Sequence, residues 1–276
     1  MKAVQLTAMQ LNSQPQPQEN LKKVEHWLQQ LPDQQPQLVV LPEAFSCFGA
    51  GDKAQWQQSQ NAEQTHQALT ELARKYRVYL CAGTVPTPNG DKFYATSWLF
   101  GPDGKELGNY QKIHLFDVDV ADNTKQYRES AWATPGQNVV VVDTEFGRVG
   151  LAVCYDVRFP ELFRLLRQQG AEIIVLPSAF TQVTGAAHWQ TLVTARAIEQ
   201  QVYVVAAGQV GTHANGRQTY GHSMVIDPWG RNLAELADGE GLASAFAEPE
   251  QLAEIRNNIP VADHNVWSIK RKYDSN

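Results

Sequence analysis

The chain has 276 residues, enough for one large α/β domain with a buried core, and 29 acidic against 23 basic residues leave a net charge of −6. That charge, with no basic stripe, argues against a nucleic-acid partner or an anionic membrane. Cys47, Cys81 and Cys154 are odd in number and scattered, which is no disulfide framework, and no short paired Cys or His spacing suits zinc; no metal and no cofactor is expected.

Residues 3–11 alternate as a strand. No apolar signal segment precedes them and no run is long enough to span a bilayer, so the expected compartment is the cytoplasm, whose reducing conditions suit a free thiol. A helix over 19–31 follows, with Leu21, Val24, Leu28 and Leu31 as its apolar stripe. The apolar run Leu38-Val39-Val40-Leu41 then stops at Pro42, which has no N–H to give a ladder. Glu43 is left at the lip of a sheet, where open α/β sheets place ligands; the alternative is a solvated acid in a loop. A helix near 62–76, a strand over 78–83 and a hairpin follow. The hairpin runs from 93–100 through Gly101-Pro102-Asp103-Gly104 to a strand ending at Lys112. A lone lysine such as Lys112 usually marks a surface charge.

The second half repeats this order. Strands over 139–143 and 149–154 flank a turn at Phe146-Gly147, and a helix over 160–169 ends at Gly170. A strand over 172–176, a helix over 188–200 beginning with His188 and Trp189, and a strand over 202–208 come next. An antiparallel set covers 220–226, 232–236 and 242–246. Two such halves suggest two sheets packed face to face with helices outside; pattern alone leaves a doubly wound single sheet as the alternative. The segment 252–267 reads as a short helix and an irregular tail whose Val266 and Trp267 need burial.

Cys154 ends the apolar run Val149-Gly150-Leu151-Ala152-Val153, just before the start of a helix. Backbone N–H groups and a helix dipole there favour thiolate and oxyanion, so the thiol is a candidate nucleophile; a small buried hydrophobe is the plainer alternative.

Three strings decide between these readings. Leu41-Pro42-Glu43, Tyr110-Gln111-Lys112-Ile113-His114-Leu115 and Cys154-Tyr155-Asp156-Val157-Arg158-Phe159-Pro160-Glu161 resemble the nitrilase superfamily of carbon–nitrogen hydrolases, in that family's order and spacing. The resemblance spans the chain from Lys2 to the region of Tyr273. It implies an α/β four-layer αββα sandwich and a single domain over 1–276. The helix and tail over about 250–276 would then pack at the interface of a homodimer or larger homo-oligomer. It also implies an amidase acting on a small-molecule amide. In it Cys154 is the nucleophile, Glu43 the general base, and Lys112 with the Tyr155 N–H the oxyanion cradle. The segment around Tyr127-Arg128-Glu129-Ser130 resembles the part of the family that carries a second structural glutamate, so Glu129 would hold Lys112 or the substrate. His114 is either a substrate contact or a packed histidine. Arg158 and Glu161 are expected to pair with each other or with a partner subunit.

The nucleophile string resembles the branch that holds omega-amidases and deaminated-glutathione amidases. Ser223-Met224 and Asp227-Pro228-Trp229-Gly230 stand closer to the latter, and Phe180 and Thr181 are the candidate substrate contacts. The substrate this implies is deaminated glutathione, with 2-oxoglutaramate as the alternative. Two rivals of other classes are a non-catalytic binding protein, disfavoured by an intact Glu43, Lys112 and Cys154, and a thiol redox protein, disfavoured by the lack of a nearby resolving cysteine.

Overall fold

In the computed structural model residues 1–270 are described. The first half supplies β1 (Val4–Gln10), α1 (Pro17–Leu28), β2 (Gln37–Val40), α2 (Asp52–Ser59), α3 (Ala62–Tyr76), β3 (Tyr79–Cys81), β4 (Val85–Asn89), β5 (Lys92–Phe100) and β6 (Glu106–Gln111). A short ribbon of β7 (Asp117–Asp119) and β8 (Gln126–Arg128) follows. The second half supplies β9 (Val141–Thr144), β10 (Gly147–Leu151), α4 (Pro160–Gln168), β11 (Ile173–Ser178), α5 (Gln182–Gln200) and β12 (Tyr203–Gly208). The ribbon of β13 (Val210–Thr212) and β14 (Gln218–Tyr220) comes next, then β15 (Ser223–Ile226), β16 (Asn232–Leu236), β17 (Gly241–Ala247), α6 (Pro249–Asn258) and α7 (Val261–His264).

Two sheets form, not one. The first runs β17-β1-β2-β3-β5-β4, with β6 on β5; the second runs β16-β15-β12-β11-β10-β9. Strand β17 leaves the second half of the chain to pair antiparallel with β1, Val4 opposite Ala247 and Gln10 opposite Gly241, which stitches the halves together. Strand β1 also packs face to face on β12 and β15.

Side-chain alternation explains the layers. Leu6, Ala8, Leu38, Val40, Tyr79 and Cys81 point into the core between the sheets, with Val149, Leu151, Val204 and Val225 from the other side. Their neighbours Met9, Val39, Leu41, Leu80 and Ala82 point the other way, onto Val24 and Leu28 of α1 and Leu69, Leu72 and Ala73 of α3. Helices α4 and α5 cover the second sheet through Leu162, Phe163, Leu166, Val193 and Ala197. Both sheets are apolar on both faces and covered by helices, which is the α/β four-layer αββα sandwich.

Several boundaries differ from the sequence reading. Helix α1 stops at Leu28, because Pro32 cannot continue it and residues 29–31 close as a turn. Helix α5 begins at Gln182, so His188 and Trp189 lie inside it; Thr181 caps it by accepting a bond from the Thr184 N–H (3.2 Å). The segment 220–226 is broken at Gly221 and His222, both at positive φ. Strand β10 stops at Leu151, three residues short of Cys154.

Helix α6 docks on its own chain. Leu252 and Ile255 are buried, Gln201 Nε2 donates to the Ile259 carbonyl (2.6 Å), and Arg256 donates to the carbonyls of Gln201 and Ala171 (both 3.0 Å). Beyond it Val266 is 86% exposed and Trp267 76%. The expected tail packing over 271–276 lies outside the described residues. Among the described residues no helix is long and apolar enough to cross a membrane.

Candidate active site

Glu43 stands three residues beyond the end of β2, on a backbone path that only glycine at 83 permits. A Cβ on Gly83, at φ +57°, would lie 2.0 Å from the Pro42 carbonyl oxygen. The turn is pinned from both sides: the Ala44 N–H donates to Thr84 Oγ1 (2.7 Å), and the Glu43 carbonyl accepts from Gln209 Nε2 (3.0 Å).

Lys112 stands immediately after β6. Its N–H donates to the Ala95 carbonyl (3.0 Å), and its carbonyl accepts from the Gly136 N–H (2.8 Å), with Gly136 so close that a Cβ would meet the Gln111 carbonyl. Cys154 opens a short 3₁₀ turn, Cys154–Arg158, at φ +47°. A left-handed non-glycine residue costs on the order of 1–3 kcal/mol and must be held. Asp156 holds it. Its fully buried carboxylate accepts from the Val153 N–H (2.8 Å), Tyr110 Oη (2.8 Å), the His114 N–H (3.2 Å) and His114 Nδ1 (2.7 Å). One carboxylate thereby fastens the cysteine turn to the strand that carries Lys112.

These three loops bring the side chains together. Lys112 Nζ donates to Glu43 Oε1 (2.7 Å) and to Glu129 Oε2 (2.8 Å); Glu129 also accepts the Phe116 N–H (2.7 Å). Lys112 is 2% exposed, Glu43 8% and Cys154 7%. The Ala179 N–H points at Cys154 Sγ (3.4 Å). An ammonium has three donors, so after the two carboxylates one remains for a reacting oxygen. The Tyr155 N–H, near the start of its turn, is placed where helical carbonyls are out of reach.

Burial sets the resting charges. It pushes the Cys154 thiol well above its usual range; the Glu43 charge adds to this and Lys112 only partly opposes it. Burial alone would favour a neutral Lys112, but the charges of Glu129, Glu43 and Cys154 outweigh it and hold the ammonium well above the ordinary lysine range. Burial also raises Glu129, against the pull of Lys112. The resting thiol is therefore protonated. A proton passed from sulfur to a neighbouring carboxylate leaves the total charge of this dry cluster unchanged, whereas loss to solvent does not. Cys47 and Cys81 are buried and unpaired, and burial pushes both thiols up to about 11.

The cluster lies at the floor of a cavity of about 1090 Å³ including its open mouth, walled by Phe48, Phe93, Phe116, Tyr127, Tyr155 and Phe180. Tyr155 and Phe180 line it. Two other expected contacts do not. Thr181 is buried with its hydroxyl engaged as the cap of α5. His114 is stacked on Phe159 (3.7 Å between centroids, 6° between planes) and tied to Asp156, so it is a packed histidine. Arg158 does not pair with Glu161: its Nη2 lies 3.3 Å from His188 Nδ1, and its guanidinium stands over the Tyr155 and Phe180 rings. Sequence reading missed Asp156, Thr84 and Gln209. Asp156 lay inside a quoted string, and its signal was an acid beside an apolar strand end. Among the described residues no group of three or more His, Cys, Asp or Glu side chains is arranged to hold a metal ion.

Known proteins resemble this chain in sequence and in fold. The carbon-nitrogen hydrolase family model matches residues 5–257. A deaminated glutathione amidase of Synechocystis sp. is 42% identical over 272 residues, covering 97% of this chain and all of that protein. The omega-amidase NIT2 of Xenopus tropicalis is 35% identical, covering 99% of each chain. The crystal structure of Saccharomyces cerevisiae Nit3, a member of branch 10 of the nitrilase superfamily, superposes with a TM-score of 0.84 at 33% identity, over 94% of this chain and 95% of that one. With a family model spanning nearly the whole chain and full-length relatives above 30% identity, the protein belongs to the carbon–nitrogen hydrolase family, the nitrilase superfamily of amide-hydrolysing enzymes.

Proposed function

We propose that the protein hydrolyses the amide that joins the 2-oxoglutaryl unit of deaminated glutathione to cysteinylglycine. The observation that carries this reading is the buried Glu43–Lys112–Glu129 chain beside Cys154, set in the lining of an open cavity walled by aromatic side chains. The 42% identical amidase of Synechocystis sp. supports the choice of substrate.

In this reading Glu43 takes the Cys154 proton as sulfur attacks the amide carbon. The oxyanion forms against the third Lys112 N–H and the Tyr155 N–H. Protonated Glu43 then gives its proton to the departing nitrogen, and cysteinylglycine leaves a 2-oxoglutaryl thioester on Cys154. Water enters, Glu43 takes its proton, and the second tetrahedral species collapses to 2-oxoglutarate and the free thiol. Glu129 does no proton transfer; it fixes Lys112 from the far side and neutralises it together with Glu43.

A second reading is omega-amidase action on 2-oxoglutaramate, which presents the same acyl unit and loses ammonia; the 35% identical omega-amidase of Xenopus tropicalis favours it. Specificity is the ratio of kcat/KM values. Deaminated glutathione is expected to lead when both are assayed on one preparation through 2-oxoglutarate. A lead of about tenfold for 2-oxoglutaramate, about 1.4 kcal/mol, selects the second reading.

The reading extends to assembly and place. The single domain acts as a homodimer or larger, in the cytoplasm, with Val266 and Trp267, exposed on one chain, covered by a second copy. Light scattering at micromolar concentration tests the assembly, and a monomer there rules it out.

A further inference from the structure

Arg217, in the loop between β13 and β14, lines the cavity and has no part in the chemistry described above. Its guanidinium stands 4.9 Å from the centroid of Phe48 and 5.0 Å from that of Tyr127, and Nη2 donates to the Ala179 carbonyl (2.9 Å). Its Nε is buried without an acceptor, and it forms no ion pair among the described residues. The other arginines here are engaged. Arg128 binds Asp119 (2.9 Å) and two backbone carbonyls, and Arg158 meets His188. The acid that feels Arg217 is Asp52, outside ion-pair reach; burial raises its carboxyl against the pull of Arg217 and Lys112. Arg217 is therefore a fixed, half-buried cation with donors to spare and no anion, and a planar guanidinium of this kind suits a carboxylate.

Its distance from the reacting sulfur fits the substrate. Ala179 bridges the two: its N–H points at Cys154 Sγ and its carbonyl accepts from Arg217. One residue's width between these contacts, about 3.5 Å, puts the guanidinium within about 10 Å of the sulfur. A carboxylate four bonds from an acyl carbon on Cys154 comes within hydrogen-bond range over such a span. So does one folded back from a dipeptide leaving group.

We propose that Arg217 is a specificity-determining residue that receives a carboxylate of the amide substrate. This rests on the reading of function above. The chemistry is shared by the two carboxylates of deaminated glutathione, one on the keto-acid end and one on the glycine end.

The test measures kcat and KM of wild type, Arg217→Lys and Arg217→Gln on deaminated glutathione, 2-oxoglutaramate and the methyl ester of 2-oxoglutaramate. Arg217→Gln is expected to raise KM for an anionic substrate at least about tenfold more than for the ester, and Arg217→Lys to recover part of the loss. A loss on both anionic substrates assigns Arg217 to the keto-acid carboxylate. A loss confined to deaminated glutathione assigns it to the glycine carboxylate. Equal changes on charged and ester substrates overturn the proposal. Should wild type hydrolyse none of these amides, the functional reading fails instead, and Arg217 is tested by protection of Cys154 from iodoacetamide by 2-oxoglutarate. Protection weaker by about tenfold in Arg217→Gln supports the anion site, and equal protection overturns it.

Discussion

Cys154→Ser and Cys154→Ala are expected to lose at least about a thousandfold in turnover while folding nearly as wild type, the scale on which nucleophile deletions act. The stability half of this expectation follows from the site. The Cys154 side chain is small, its buried surroundings accept serine or alanine with little change in volume, and the strained φ is held by Asp156 rather than by the sulfur. The activity half follows from covalent catalysis, in which oxygen at this position meets the same base with a far less acidic proton. Steady-state amide hydrolysis and urea unfolding on the same samples check both halves. A folded Cys154→Ala enzyme keeping more than about a thousandth of wild-type activity removes the thiol from the mechanism.

Lys112→Ala is expected to cost on the order of 3 kcal/mol of transition-state stabilisation, the scale of one oxyanion donor. It is also expected to destabilise the fold by about 3–5 kcal/mol, because removing one partner of a buried ion pair strands the other. Here two carboxylates are stranded: Glu43 and Glu129 both bind this one ammonium, which is 2% exposed. The two losses separate by pH. Acid that protonates the stranded carboxylates restores part of the stability, since the uncompensated charge is what destabilises, and restores none of the oxyanion contact. Denaturant unfolding at neutral and mildly acidic pH reads the first, and kcat/KM under conditions where the variant is folded reads the second. A folded variant with near wild-type turnover withdraws the role given to Lys112.

The sequence made the strand cores and the strings around Glu43 and Cys154 readable because each follows an apolar run that ends in punctuation, at Pro42 and at the turn after β10; Lys112, at the end of the polar strand β6, was reachable only through the string that carries the resemblance. Glu129 was reachable only by resemblance, since a single acid in a loop carries no period. What pattern could not reach was long-range closure. Strand β17 pairs with β1 across more than two hundred residues, and alternation in either strand says nothing of the partner. The same limit hid Asp156, which ties the cysteine turn to Tyr110 and His114, and Gln209, which binds the Glu43 carbonyl. His114 was drawn toward substrate because it lies inside the Lys112 string, and Thr181 because it follows a strand end opposite Cys154. In the fold one side chain is claimed by Asp156 and Phe159, the other by the first turn of α5.

Partition of the acyl group tests the thioester most directly. With deaminated glutathione and 2-oxoglutaramate as alternative substrates and methanol as a second acceptor beside water, both amides pass through one 2-oxoglutaryl thioester on Cys154. The ratio of methyl ester to free acid should then be the same from either substrate, because the departing amine has gone before the acceptor chooses. A ratio that changes with the departing amine contradicts a common acyl-enzyme and with it the nucleophilic role of Cys154.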